Sequence, residues 1–266
     1  MRNMALTLML AVAPGYALAS TVSVFDLSPY VNTGSPSQES DQMQQAAASL
    51  GHTVNTFTGF AAADWDNAFS GGSVVLIPEL RENLPGAMDA AARTALADNV
   101  NAGGGLVLAG PTDYTSSLLD TLFGWSLSSA FATIWPDPST LNGVNAAGTH
   151  FADDPVSITG NNRTSGYITA LLPSGAVSIY QSGVDTSVFT IGVGTGSVTV
   201  LAWDWFSALP SPGIQDGGWN QVLDSALAHA AKEPVRSSSV PEPGVALLFG
   251  VALISLAASR CNRKSA

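Results

Sequence analysis

Short runs of β-branched, aliphatic and aromatic residues alternate with amphipathic stretches through the first half of the chain. Thr21 to Asp26 (TVSVFD) predicts a buried strand. A polar loop rich in Ser, Pro, Asn and Gly runs on through Ser40. Glu39 to Leu50 sets Met43, Ala46, Ala47 and Leu50 on one helical face, with Gly51 as the stop. His52 to Phe57 alternates and predicts a second strand. Ser73 to Leu80 (SVVLIPEL) is the continuous apolar run expected of a central parallel strand. Gly86 to Ala102 predicts an Ala-rich helix, Gly104 to Gly110 another buried strand, and Leu118 to Trp125 a short helix. This order predicts an α/β fold, a parallel sheet with helices on both faces.

The pattern changes after Trp135. The stretch to Gly160 holds Pro136, Pro138 and Pro155 with many Asn and Gly, and predicts loops. Ala176 to Gln181, Ser187 to Val193 and Ser197 to Asp204 predict three strands. Gly194-Thr195-Gly196 makes the last two a late antiparallel hairpin. Trp219 to Ala231 predicts a closing helix with Val222, Leu223, Ala226, Leu227 and Ala230 on its inner face.

Charge changes the picture most. All 20 acidic residues lie between Asp26 and Glu242, against Arg81, Arg93, Arg163, Lys232 and Arg236. Such a body repels nucleic acid and anionic surfaces, so nucleic acid is not expected as a partner. The acids are dispersed, which fits solubility as well as divalent-cation or cationic-polymer partners. The single cysteine, Cys261, lies in the tail, so the body has no disulfide and no thiol nucleophile.

The two ends have their own patterns. Residues 1–19 read as a signal peptide: Arg2, an apolar run from Ala5 to Ala13, the breakers Pro14 and Gly15, then Ala17-Leu18-Ala19 as cleavage site. Signal peptidase is the partner this implies. Residues 20–232 form the α/β body and 233–239 a polar linker. At the far end come Val240-Pro241-Glu242-Pro243-Gly244, a 16-residue uncharged run over 244–259, and the basic stop Arg260, Arg263 and Lys264. The run predicts a single transmembrane helix with its basic flank cytoplasmic.

Residues 240–266 resemble the PEP-CTERM sorting domain. The resemblance implies recognition by an exosortase-type membrane peptidase, an inner-membrane-anchored precursor with a periplasmic body, and passage to the cell surface or beyond. It also makes extracellular polysaccharide a candidate partner.

The body resembles the class I glutamine amidotransferase-like, flavodoxin-related superfamily. The residues that carry this are Val22 to Asp26, Ser73 to Glu79, the glycine-rich strand Ala102 to Gly110, and the hairpin ending Val200-Leu201-Ala202-Trp203-Asp204-Trp205. Catalytic members carry a cysteine after the strand that here ends at Gly110 and a histidine after a late strand. Here Pro111-Thr112 and Asp204-Trp205-Phe206 stand instead, so the amidotransferase triad is absent. Thr112, Ser116 and Ser117 lack a nucleophile-elbow motif and read as helix-start hydroxyls. His52, His150 and His229 have no metal spacing, no metal site is predicted, and Gly103-Gly104-Gly105 precedes a strand where a phosphate loop would follow one.

The carboxyl ends of parallel strands are where open α/β sheets bind ligands. Those ends carry Asp26, Glu79, Asp113 and Asp204, which together could hold a cation or a sugar. Single carboxylates there also cap helices. The sequence thus supports an exported, sorted binding domain with no catalytic residue and no cofactor; the alternative is a hydrolase of polysaccharide or peptide acting through these carboxylates. Trp125, Trp135, Trp203, Trp205 and Trp219 are read as core, or, if exposed, as sugar-stacking surfaces.

Overall fold

The structure, a computed structural model, describes residues 20–110, 112–133, 137–208 and 216–235. The chain divides into one compact unit, Met1–Pro234, and a second, Val235–Ala266, of which only Val235 is described.

Four strands of the first half pair in parallel: β1 (Thr21–Phe25), β2 (Thr53–Phe57), β3 (Val74–Ile77) and β4 (Gly105–Ala109). Helices α1 (Glu39–Ser49), α2 (Ala62–Ala68), α3 (Leu84–Ala87), α4 (Ala90–Asn101) and α5 (Asp113–Phe123) connect and follow them. The single helix expected from Gly86 to Ala102 is two. Asp89 accepts the Ala92 N–H at 2.7 Å and caps a fresh start at Ala90.

Beyond α6 (Leu127–Ala130) the chain forms β5 (Phe131–Thr133), β6 (Ser139–Leu141), α7 (Gly143–Ala146), β7 (Ser157–Ile158) and β8 (Ser165–Ile168). Then come β9 (Val177–Ser182), β10 (Asp185–Val193), β11 (Gly196–Leu201) and the closing helix α8 (Trp219–Ala230). The sheet order is β2-β1-β3-β4-β11-β10-β9-β6-β7, with β8 pairing β5 and β10 off this path. β11 lies parallel to β4 and antiparallel to β10.

Two expectations about the fold class need correction. The sheet is mixed rather than parallel with one hairpin, because β5 to β10 extend it through antiparallel pairs. Among the described residues, no helix is long and apolar enough to cross a membrane. Residues 244–259, where a span was expected, lie outside those described, as do the signal peptide 1–19, the motif Val240 to Gly244 and the basic stop.

Alternation along the strands makes two cores. Val22, Val24, Val74, Leu76 and Val107 face α1 and α8. Phe25, Val75, Ile77, Leu106 and Leu108 face α2, α4 and α5. Trp65, Trp203, Trp205 and Trp219 are all at most 1% exposed, so those four are core rather than a stacking surface.

A titratable group is sealed under α8. Asp154 is 6% exposed and accepts the Ser225 hydroxyl at 2.6 Å, while its Oδ2 has no partner among the described residues. Burial pushes its carboxyl from 3.8 up to about 7, against the lowering effect of Ser225 and with the charges of Asp224 and Asp153 adding to the rise. The folded state therefore holds this proton more tightly than the unfolded chain. The resulting stability is complete below the unfolded value and is lost as pH climbs through about 7. Asp154→Asn keeps the acceptor for Ser225 and cannot ionise. In thermal melts between about pH 5 and 8, it should lose less stability than the native protein, by about 2–4 kcal/mol at most. Parallel pH slopes for the two proteins would refute this.

Candidate functional site

The carboxyl edge of the parallel strands carries the site. Glu79 follows β3, Asp204 follows β11, and Glu39 opens α1. One carboxylate oxygen from each lies within 4.8 Å of the other two. Glu39 and Glu79 are 1% exposed and Asp204 3%, so all three sit in a low-dielectric recess.

The loops are built to hold this edge. After β1, the chain from Leu27 to Gln38 crosses the strand ends, and the Arg81 amide donates to Tyr30 O at 2.8 Å. The Ser207 amide donates to Ser37 O at 2.8 Å, tying the loop after β11 to the entry of α1. Asn162 donates its side-chain amide to the carbonyls of both Asp204 and Phe206. Asn162, Arg163 and Ser207 hold left-handed backbone, with φ of 51°, 56° and 58°. Such strain in non-glycine residues is kept where surrounding contacts over-determine it.

Few donors serve the acids. Arg81 Nη1 lies 3.6 Å from Glu39 Oε1 and 3.4 Å from Glu79 Oε1, with its own side chain 37% exposed. Asn32 Nδ2 donates to Glu39 Oε1 at 3.1 Å, and the Phe206 amide to Asp204 Oδ1 at 2.7 Å. Among the described residues, Glu39 Oε2 and Glu79 Oε2 are buried with no hydrogen-bond partner. Burial raises the Glu79 carboxyl well above the ordinary range; Asp204 and Glu39 add to the rise, and Arg81 and Arg163 oppose it. Burial also raises Asp204, opposed by the Phe206 N–H. The recess is therefore short of positive charge.

Of the four carboxylates expected at this edge, Glu79 and Asp204 are brought together. Asp26 instead accepts the Ser40 hydroxyl at 2.7 Å, and Asp113 is exposed in the first turn of α5. Glu39 is the member that strand-end reasoning misses, because it lies on a helix start. The hydroxyls of Thr112 and Ser116 are engaged, by Leu80 O at 2.9 Å and by the Tyr167 hydroxyl at 3.2 Å. His52 bridges Ser20 at 2.8 Å and Asp224 at 3.0 Å and ties β1 and β2 to α8. His150 and His229 meet with ring centroids 5.9 Å apart, a pairing that sequence spacing could not reveal.

No known protein family matches this chain, nor does any curated protein. Solved structures do. A ThuA-like protein from Parabacteroides merdae is 12% identical, covers 82% of this chain and 92% of its own, with a TM-score of 0.52. One from Bacteroides uniformis is 12% identical over 83% and 96%, with a TM-score of 0.49. A protein from Salmonella typhimurium LT2 titled cytoplasmic is 10% identical over 81% and 100%, with a TM-score of 0.51. At this identity the likeness concerns the fold alone: the chain shares the glutamine amidotransferase-like fold of the ThuA-like protein from Parabacteroides merdae. The localisation expected from the chain ends, a membrane-anchored precursor passed to the cell surface, is corrected: among the described residues no helix is long and apolar enough to cross a membrane. The Salmonella typhimurium LT2 neighbour is itself titled a cytoplasmic protein.

Proposed function

We propose that this chain is a ligand-binding α/β domain that performs no covalent chemistry, with the Glu39–Glu79–Asp204 recess as its site. One observation carries the reading: three buried carboxylates converge within 4.8 Å while two of their oxygens lack partners among the described residues. Buried acceptors without donors are costly, about 1–3 kcal/mol each, and a ligand that supplies donors or charge recovers that cost. The hydroxyl-rich units of a polysaccharide supply both geometry and donors. Isothermal titration with oligosaccharides should show saturable binding that weakens about tenfold or more in Glu79→Gln. Binding that is absent, or equal in native and variant protein, would overturn the reading.

A second reading, hydrolysis, draws on the pairing of two carboxyls that are both raised above their ordinary range, as acid–base pairs are. Against it, the two glycosidase geometries need a gap of about 5–9.5 Å between carboxyls with room for sugar and water. Here the oxygens lie closer than that. No release of reducing ends from the same oligosaccharides is expected; turnover lost in Glu79→Gln would put hydrolysis first.

The likeness of residues 240–266 to a sorting tag is a separate proposal on sequence alone. Its support is the order of motif, apolar run and basic cluster. Its test is the mass of the mature protein in a host carrying an exosortase, where residues 244–266 should be missing.

A further inference from the structure

The recess has the composition of a cation site as well as an empty acceptor set. Its three converging groups are all oxygen donors, from Glu39, Glu79 and Asp204. Oxygen-only carboxylate sets select hard cations over the softer transition metals. Oxygens around one calcium ion stand up to about 5 Å apart, since each bond is about 2.3–2.6 Å. Mutual distances within 4.8 Å therefore lie inside the limit for one calcium shell.

Charge balance points the same way. Three carboxylates face two guanidinium groups, Arg81 and Arg163. Arg81 reaches only Oε1 of each glutamate, from a partly exposed position, and leaves Glu39 Oε2 and Glu79 Oε2 unpartnered at 1% exposure. Those two oxygens are a separate signal from the clustering of acids. Surface acids are solvated by water; these two oxygens are buried. The backbone N–H of Phe206 and the amide of Asn32 hold one oxygen each of Asp204 and Glu39, which fixes the carboxylates without consuming their remaining oxygens.

We propose that Glu39, Glu79 and Asp204 bind one hard divalent cation of the calcium class. This rests on the binding reading above and names what first fills the recess. The cation supplies the missing positive charge.

The test uses the full chain after treatment with chelator. Manganese is titrated and followed by electron paramagnetic resonance, with calcium as competitor. One manganese per chain should bind saturably in the micromolar to millimolar range and be displaced by calcium. Affinity should fall about tenfold or more in Glu79→Gln and in Asp204→Asn, and stay unchanged in Asp113→Asn. Asp204→Asn keeps an acceptor for the Phe206 amide and guards against a folding defect in the first variant. Absence of saturable binding overturns the proposal, as does binding equally tight in both site variants. Oligosaccharide titrations with chelator and with calcium separate the two readings. Glu79-dependent sugar binding without any cation binding sinks this inference and leaves the binding domain standing; cation binding without sugar binding does the reverse for the choice of polysaccharide.

Discussion

Replacing Gly110 with alanine is expected to destabilise the fold by about 3 kcal/mol or more and to displace Glu79. Gly110 follows β4 with φ of +102°, a backbone state that side chains rarely adopt. The added Cβ would lie 2.6 Å from Glu79 Cα and against its Cβ. The obstacle is backbone, so rotating a flexible side chain cannot relieve it. The Gly110 amide also donates to Leu201 O at 3.0 Å, which holds β4 against β11 just before Asp204. Moving Gly110 therefore strains both strands that carry the site. Denaturant unfolding should show the loss, and manganese or oligosaccharide binding should weaken with it. Gly34→Ala is the control: its φ is +90°, but nothing lies within 4 Å of the new Cβ, so the loss should be limited to backbone strain. Equal losses at the two positions would show that the close approach to Glu79 contributes nothing.

How much of this was readable in advance depends on element length. β1, β3, β4, β10 and β11 are continuous buried runs, and a buried run announces itself without a tertiary context. α2 has seven residues, with only Trp65 and Ala68 buried, too few to show a helical period. β5 to β8 are two to four residues long and exist through antiparallel partners far away in sequence. They extend the antiparallel side of the sheet beyond the one late hairpin that the sequence predicts. At the site, Glu79 and Asp204 were legible as strand-end carboxylates. Asp113 obeyed the same rule yet belongs to an exposed helix turn. Glu39 was hidden because an acidic residue in a first helical turn is what the helix dipole favours anywhere. Only the fold of the loop from Leu27 to Gln38 turns that ordinary position into a buried ligand group.

The tryptophan cluster beneath the site carries the second large effect. Trp219 opens α8, stacks on Trp203 at 5.8 Å and 4°, and meets Trp205 edge-on at 6.1 Å and 75°. Its Nε1 donates to Thr159 O at 2.9 Å. Trp219→Ala should cost about 3–5 kcal/mol through the cavity alone, and it also leaves the Thr159 carbonyl without this donor. Against a total stability of about 5–15 kcal/mol, that is a large fraction. Trp219→Phe keeps most of the ring contact and loses the N–H, so its cost should be about 1–2 kcal/mol. Urea unfolding of the pair separates packing from hydrogen bonding, and a similar small loss in both would mean that the cluster is not a principal source of stability. The consequence reaches the site because Asp204 lies between Trp203 and Trp205. With Trp219 gone, the stack no longer fixes the chain after β11, and Asp204 loses its register against Glu39 and Glu79. Cation affinity should then fall in Trp219→Ala even under conditions where the variant is fully folded, while Trp219→Phe should bind nearly as the native protein does.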